Sequence, residues 1–181
     1  MMTSLLPLIV LGQASTVSGT LTLRSKPVGD AVVWLSGSVA SKPMTAKIEQ
    51  KGKAFIPHVL VVTSDSTVSF PNRDDIFHNV FAEHRAKKFD LGMYPKGQTR
   101  EVTFDKTGVV SVLCNIHSNM SAYVIVVGTP FFAKTDRNGH FSIADVPKGT
   151  YKVEGWHESG ATYQGSLNVA GPTNLSFNLG R

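Results

Sequence analysis

Cys114, His117 and Met120 stand together in the heptapeptide Cys114-Asn115-Ile116-His117-Ser118-Asn119-Met120. A thiol, an imidazole and a thioether at this even spacing are three soft or borderline metal donors on one short segment. Alternating Val109–Leu113 runs into the cysteine, and Ala122–Val127 follows the methionine. The segment therefore reads as a loop between two strands, tight enough to aim all three side chains at one point. A fourth donor, His78, sits in Phe77-His78-Asn79. Two histidines, one cysteine and a weak, long axial methionine are the ligand set of a type 1 copper site. Zinc fits less well: the chain has a single cysteine, and structural zinc sites rarely use methionine. Imidazole and thiolate in a trigonal plane compromise between the preferences of Cu(II) and Cu(I), so an electron can come and go with little movement. Cys114 by itself would read as a small core hydrophobe, and Met120 as the first residue of a core strand. The matched spacing argues for ligands.

Other chemistry is poorly represented. No Ser/His/Asp grouping and no phosphate-cradling glycine loop is present. Asp74-Asp75 precedes His78 closely and reads as a turn rather than a carboxylate pair for hydrolysis. Four protein ligands leave a metal no open position for a substrate, which argues against an enzyme. Of the remaining histidines, His58 reads as a strand-edge residue, His140 as exposed beside a turn glycine, and His157 as exposed next to a packed Trp156. His84 shares a face with His78 if that stretch is extended.

These residues need strands to position them. Period-two alternation bounded by Gly, Pro, Asn and Asp recurs along the chain, and helical periodicity is almost absent. Strands are expected at Val17–Leu23, Ala31–Leu35, Lys47–Glu49, Leu60–Val62, Thr67–Phe70, Asn79–Phe81, Arg100–Phe104, Val109–Leu113, Ala122–Val127, Phe141–Ile143, Thr150–Glu154, Ala161–Val169 and Asn174–Asn178. His84–Lys88 is the one stretch read as a helical turn. No helix-length amphipathic segment separates successive strands, so an all-β sandwich architecture is favoured over a parallel βαβ sheet.

Residues 55–127 resemble a cupredoxin of the plastocyanin/amicyanin type. The resemblance rests on Val68-Ser69-Phe70-Pro71-Asn72, Ile76-Phe77-His78-Asn79-Val80, Phe104-Asp105-Lys106-Thr107-Gly108 and the cysteine loop, whose spacing is like that of amicyanin. It implies a Greek-key β-sandwich with one copper ion. His78, Cys114 and His117 would be the equatorial ligands, Met120 the axial one, and Asn79 would tie the two ligand loops together from behind. The flanking segments resemble the two halves of a carboxypeptidase-regulatory-like (transthyretin-like) β-sandwich, through Pro27-Val28-Gly29-Asp30-Ala31-Val32-Val33 and Thr135-Asp136-Arg137-Asn138-Gly139-His140-Phe141. The whole chain is similar to exported bacterial proteins labelled methylamine-utilisation-like, although these often carry an aromatic residue where this chain has Asn119. The expected organisation is a signal peptide over residues 1–14, a first sandwich portion over 15–45, a cupredoxin domain over 46–128 inserted in that sandwich, and the sandwich remainder over 129–181.

The signal is read from the apolar run Leu5–Leu11 followed by Gly12-Gln13-Ala14, a cleavage-type pattern with no Lys or Arg ahead of it. The run is too short to span a bilayer, so the mature chain is expected to have no transmembrane segment and to be periplasmic or secreted. The 181 residues carry a net charge of +5, with 41% hydrophobic and 17% charged residues, which excludes a disordered chain. No basic run interleaved with aromatics points to nucleic acid. The charge suits an acidic redox partner, a cytochrome or a dehydrogenase. Arg85, Lys87, Lys88, Lys96 and Arg100 form the densest basic stretch, read as a solvated face or a docking patch. A one-electron carrier is the favoured function; a copper-delivery protein and a cell-envelope binding module with structural copper are the alternatives.

Overall fold

The computed structural model describes residues 14–180. The expected signal segment thus lies outside the described residues, apart from Ala14. Every regular element among the described residues is a strand. No helix there is long and apolar enough to cross a membrane.

The larger unit is a sandwich of two sheets. Five strands lie in the order Lys87–Tyr94, His78–His84, Gly108–Leu113, Ser121–Val127 and Val59–Thr63. Three face them in the order Thr99–Phe104, Ser66–Pro71 and Thr45–Lys47. Val59–Thr63 runs parallel to Ser121–Val127, and Thr45–Lys47 parallel to Ser66–Pro71, so chain-distant strands become neighbours as Greek-key connections require. Val62, Val68, Phe70, Val80, Phe104, Val110, Val112 and Val124 fill the space between the sheets.

The strands of residues 15–36 pair with strands from the far end of the chain. Ser15–Leu23 is flanked antiparallel by His140–Val146 and parallel by Thr173–Asn174 and Phe177–Leu179. A four-stranded sheet in the order Phe132–Lys134, Val32–Ser36, Gly149–Trp156 and Thr162–Val169 covers it. Val17, Leu21, Val33, Leu35, Phe141, Tyr151 and Val153 form this second core. The all-β class expected from the sequence, with a Greek-key sandwich beside a second pair of packed sheets, is the one observed.

A third apolar layer joins the two units: Val59, Val61, Ile125 and Val127 from the larger one against Val32 and Trp156 from the smaller. This explains the uninterrupted apolar run Ala122–Val127. Ala122, Val124 and Val126 serve one core, and Ile125 and Val127 the contact layer, so the strand is buried on both faces.

Three local expectations are corrected. The expected strands Lys47–Glu49 and Asn174–Asn178 are each broken in two, at Ile48 and at Leu175-Ser176. His84–Lys88 is not a helical turn; Arg85-Ala86 is a reversal between His78–His84 and Lys87–Tyr94, with Lys87 paired to His84. Lys87–Tyr94 is itself a strand that the alternation did not announce. Its burial is half-hearted, as at a sheet edge, and Asp90-Gly92 interrupts its register.

Candidate metal centre

Pairing of the Cys114 strand with its two neighbours assembles the site. Gly108–Leu113 delivers Cys114 at its end, and Ser121–Val127 begins directly after Met120, with Leu113 opposite Ser121. The register forces a short loop, closed by Met120 N–H donating to His117 O at 3.0 Å and Cys114 N–H donating to Met120 O at 3.3 Å. On its other side Leu113 pairs with Phe81, which sets the His78 strand beside the cysteine strand. His78 is fully buried at the start of that strand. The loop before it is held by the buried Asn72, whose Nδ2 donates to Ile76 O (2.8 Å) and Tyr94 O (3.0 Å) while its Oδ1 accepts from Asp74 N–H (2.9 Å).

The outcome is a cluster of His78, Cys114 and His117 whose donor atoms all lie within 4.8 Å of one another. The two imidazoles meet at 5.0 Å between ring centroids, inclined by 64°. Cys114 is buried, and His117 is half-buried. Met120 is buried beneath the same loop and packs in the core cluster that contains Cys114.

Hydrogen bonding marks these side chains as unfinished. The Nδ1 atoms of both His78 and His117 are buried without a partner. A buried polar atom left unpaired costs about 1–3 kcal/mol. Two imidazoles with such atoms, clustered with a thiol, make a cradle that a soft or borderline cation would complete. His78, Cys114 and His117 therefore fit a metal ion.

Asn79 lies between the two loops. Its Oδ1 accepts from Asn115 N–H at 3.4 Å, and its Nδ2 donates to Asp90 Oδ1 at 2.6 Å. Asp90 was missed by sequence reasoning because it lies on the unannounced strand. Asp74 was read only as a turn residue. It does hold a turn, accepting from Gly52 N–H (2.6 Å) and Lys53 N–H (2.8 Å), but its Oδ2 also receives His78 Nε2 at 2.8 Å. Burial would raise the Asp74 carboxyl, yet the Lys53 amide, the His78 ring and the Gly52 amide together hold it below the ordinary carboxylate range. Its place four residues before His78 was the available signal.

Tyr94, opposite His78 in the neighbouring strand, is also new to the site's surroundings. Its hydroxyl donates to Phe70 O at 2.8 Å and accepts from Gln50 Nε2 at 2.6 Å, and burial pushes the phenol up to about 12. The other histidines stand apart from the cluster. His84 is exposed at the far end of its strand and accepts from Ala86 N–H. His140 meets Thr20 Oγ1, and His157 meets Ser159. His58 is more than an edge residue: its ring spans Ser121 O (2.9 Å) and Glu158 Oε2 (2.6 Å), joining the two sandwiches.

Comparison with protein-family profiles finds no match, nor does comparison with curated proteins. Among solved structures, the chain is similar to a purple cupredoxin from Nitrosopumilus maritimus, with 22% identity over 45% of this chain and 99% of that one and a TM-score of 0.41. A reduced Cu(I) form of an amicyanin variant aligns at 21% identity over 52% of this chain and 98% of that one, with a TM-score of 0.42. A copper-containing nitrite reductase from Thermus scotoductus aligns at 22% identity with a TM-score of 0.45, over 61% of this chain but 28% of the reductase.

Proposed function

We propose that this chain is an exported electron-transfer protein holding one type 1 copper ion on His78, Cys114, His117 and Met120, within a cupredoxin domain set between two portions of a carboxypeptidase-regulatory-like sandwich. The observation that carries the reading is the convergence of the donor atoms of one thiol and two imidazoles within 4.8 Å, in rings whose Nδ1 atoms are buried without partners. Copper would supply one-electron exchange. The chain's own part is to hold the donors rigidly, so that little moves when charge changes. The strand ends on both sides of the Cys114–Met120 loop and the Asn79 bridge serve that purpose. The burial of Cys114 supports an electron carrier over a delivery protein, which needs an accessible and exchangeable thiolate.

The partner is proposed to be an acidic redox protein, a cytochrome or a dehydrogenase, steered by the net charge of +5. Local docking then falls to the apolar side chains beside the ligands. Phe77 (55% exposed) precedes His78, Ile116 precedes His117, and Met93 (63% exposed) pairs with Asn79. The basic stretch contributes less: Lys87, Lys88 and Lys96 are engaged by Asp105, Glu83 and Asp75, and Arg100 lies over the Tyr94 ring.

Visible absorption and EPR spectra after adding one equivalent of Cu(II) to the purified chain test this. An intense thiolate-to-copper band with narrow copper hyperfine splitting is the expected result. A pale, ordinary Cu(II) spectrum would overturn the type 1 assignment.

A further inference from the structure

We propose that Asp74 is a positioning residue that fixes the tautomer of His78 and favours Cu(II) at the site, an inference that rests on the copper reading above. Neutral imidazole carries a proton on one nitrogen and a lone pair on the other. A carboxylate can only accept, so the ring nitrogen facing Asp74 Oδ2 at 2.8 Å carries the proton. That leaves the lone pair on Nδ1, the buried atom without a partner, of a ring that belongs to the ligand cluster. His78 is thus set for metal before any arrives.

Asp74 is itself held. Its two oxygens receive the backbone amides of Gly52 and Lys53, so the carboxylate is anchored from a separate segment rather than by the His78 loop alone. Asn72 Oδ1 fixes its backbone amide as well. The neighbouring Asp75 contrasts with it, being exposed and paired with Lys96. Among the described residues, no side chain holds His117 in the same way, so the two imidazoles are not equivalent. A carboxylate behind a ligating imidazole raises the basicity of the ligand and places negative charge near the metal, and both effects favour the more highly charged ion.

Two variants separate tautomer from charge. Asp74→Asn keeps an acceptor oxygen and removes the charge; Asp74→Ala removes both. The first readout needs no copper: imidazole 15N shifts of the apo-protein at mildly alkaline pH. His78 should carry its proton on Nε2 in the wild type and in Asp74→Asn, and exchange between tautomers in Asp74→Ala. The second readout is affinity measured by chelator competition. Cu(II) binding should fall about 10–100-fold in Asp74→Ala, and in both variants Cu(II) should lose more than Cu(I), raising the reduction potential. A lowered melting temperature with unchanged tautomer and unchanged Cu(II)-to-Cu(I) preference would mean that Asp74 only holds the turn, and would overturn the proposal. Should Asp74→Ala not fold, the potential of Asp74→Asn decides alone. A wild type without a type 1 spectrum refutes the copper reading, whereas the apo tautomer measurement judges the Asp74–His78 link separately.

Discussion

Cys114 is nearly isosteric with serine, which makes it the cleanest single probe of the site. Cys114→Ser should leave circular dichroism and melting almost unchanged, because the side chain is small and sits at a strand end, yet abolish the intense visible band. An unchanged type 1 spectrum in that variant would remove the cysteine from the ligand set. Tyr94 offers a probe through pH. Its folded-state phenol is raised from the ordinary 10 to about 12, so the neutral form is favoured by folding. The stabilisation is fully present below pH 10 and is lost as pH rises towards 12. Tyr94→Phe should flatten the loss of stability in that window, measured by urea unfolding at a series of pH values. At neutral pH the same variant should be weaker by about 1 kcal/mol, since Gln50 Nε2 and Phe70 O each lose a partner.

At the scale of elements, close backbone approach sets the limits. Gly19 lies in Ser15–Leu23 where Leu175 crosses it, and an added Cβ would fall 1.7 Å from the Leu175 carbonyl oxygen. The obstacle is backbone, which cannot swing aside. Gly139 closes the turn before His140–Val146 at φ +75°, with the Leu21 carbonyl 2.4 Å from an added Cβ. Gly19→Ala should lower the melting temperature markedly by separating Ser15–Leu23 from the Thr173–Leu179 segment, with loss of amide protection at Leu175 as the local reading. Gly171→Ala, which meets nothing nearby, is the control and should be close to neutral. The strand Lys87–Tyr94 shows where sequence reading of elements stops. Lys87-Lys88 and Asp90 look like a loop, Gly92 sits at φ +63°, and the strand is supported by its neighbour rather than by its own composition. Its contributions, Asp90 to Asn79 and Tyr94 beside His78, went unseen with it.

For the molecule as a whole, the contact layer decides whether the two sandwiches behave as one. Trp156 packs at 5.1 Å between ring centroids on Tyr123, and His58 reaches Glu158 across the same seam. The wild type should unfold in a single calorimetric transition. Trp156→Ala should cost about 3–5 kcal/mol and split that transition, because the larger core contains no residue of the smaller unit. A single sharp transition in the variant would show that the seam is not what couples them.

The alternation of apolar and polar residues determined the all-β class, since only strands bury such a pattern on one face. The donor types and even spacing of Cys114, His117 and Met120 were legible because a short loop between adjacent antiparallel strands keeps chain neighbours together in space. What brings His78 to them is the register of Leu113 with Phe81, a contact between segments more than thirty residues apart that no local pattern encodes. The same holds for Asp74, whose carboxylate looks like a turn acid until the Gly52-Lys53 amides and the His78 ring converge on it. Side-chain chemistry is written residue by residue, but protonation, orientation and partner depend on distances between remote segments, and those exist only once the sheets have packed.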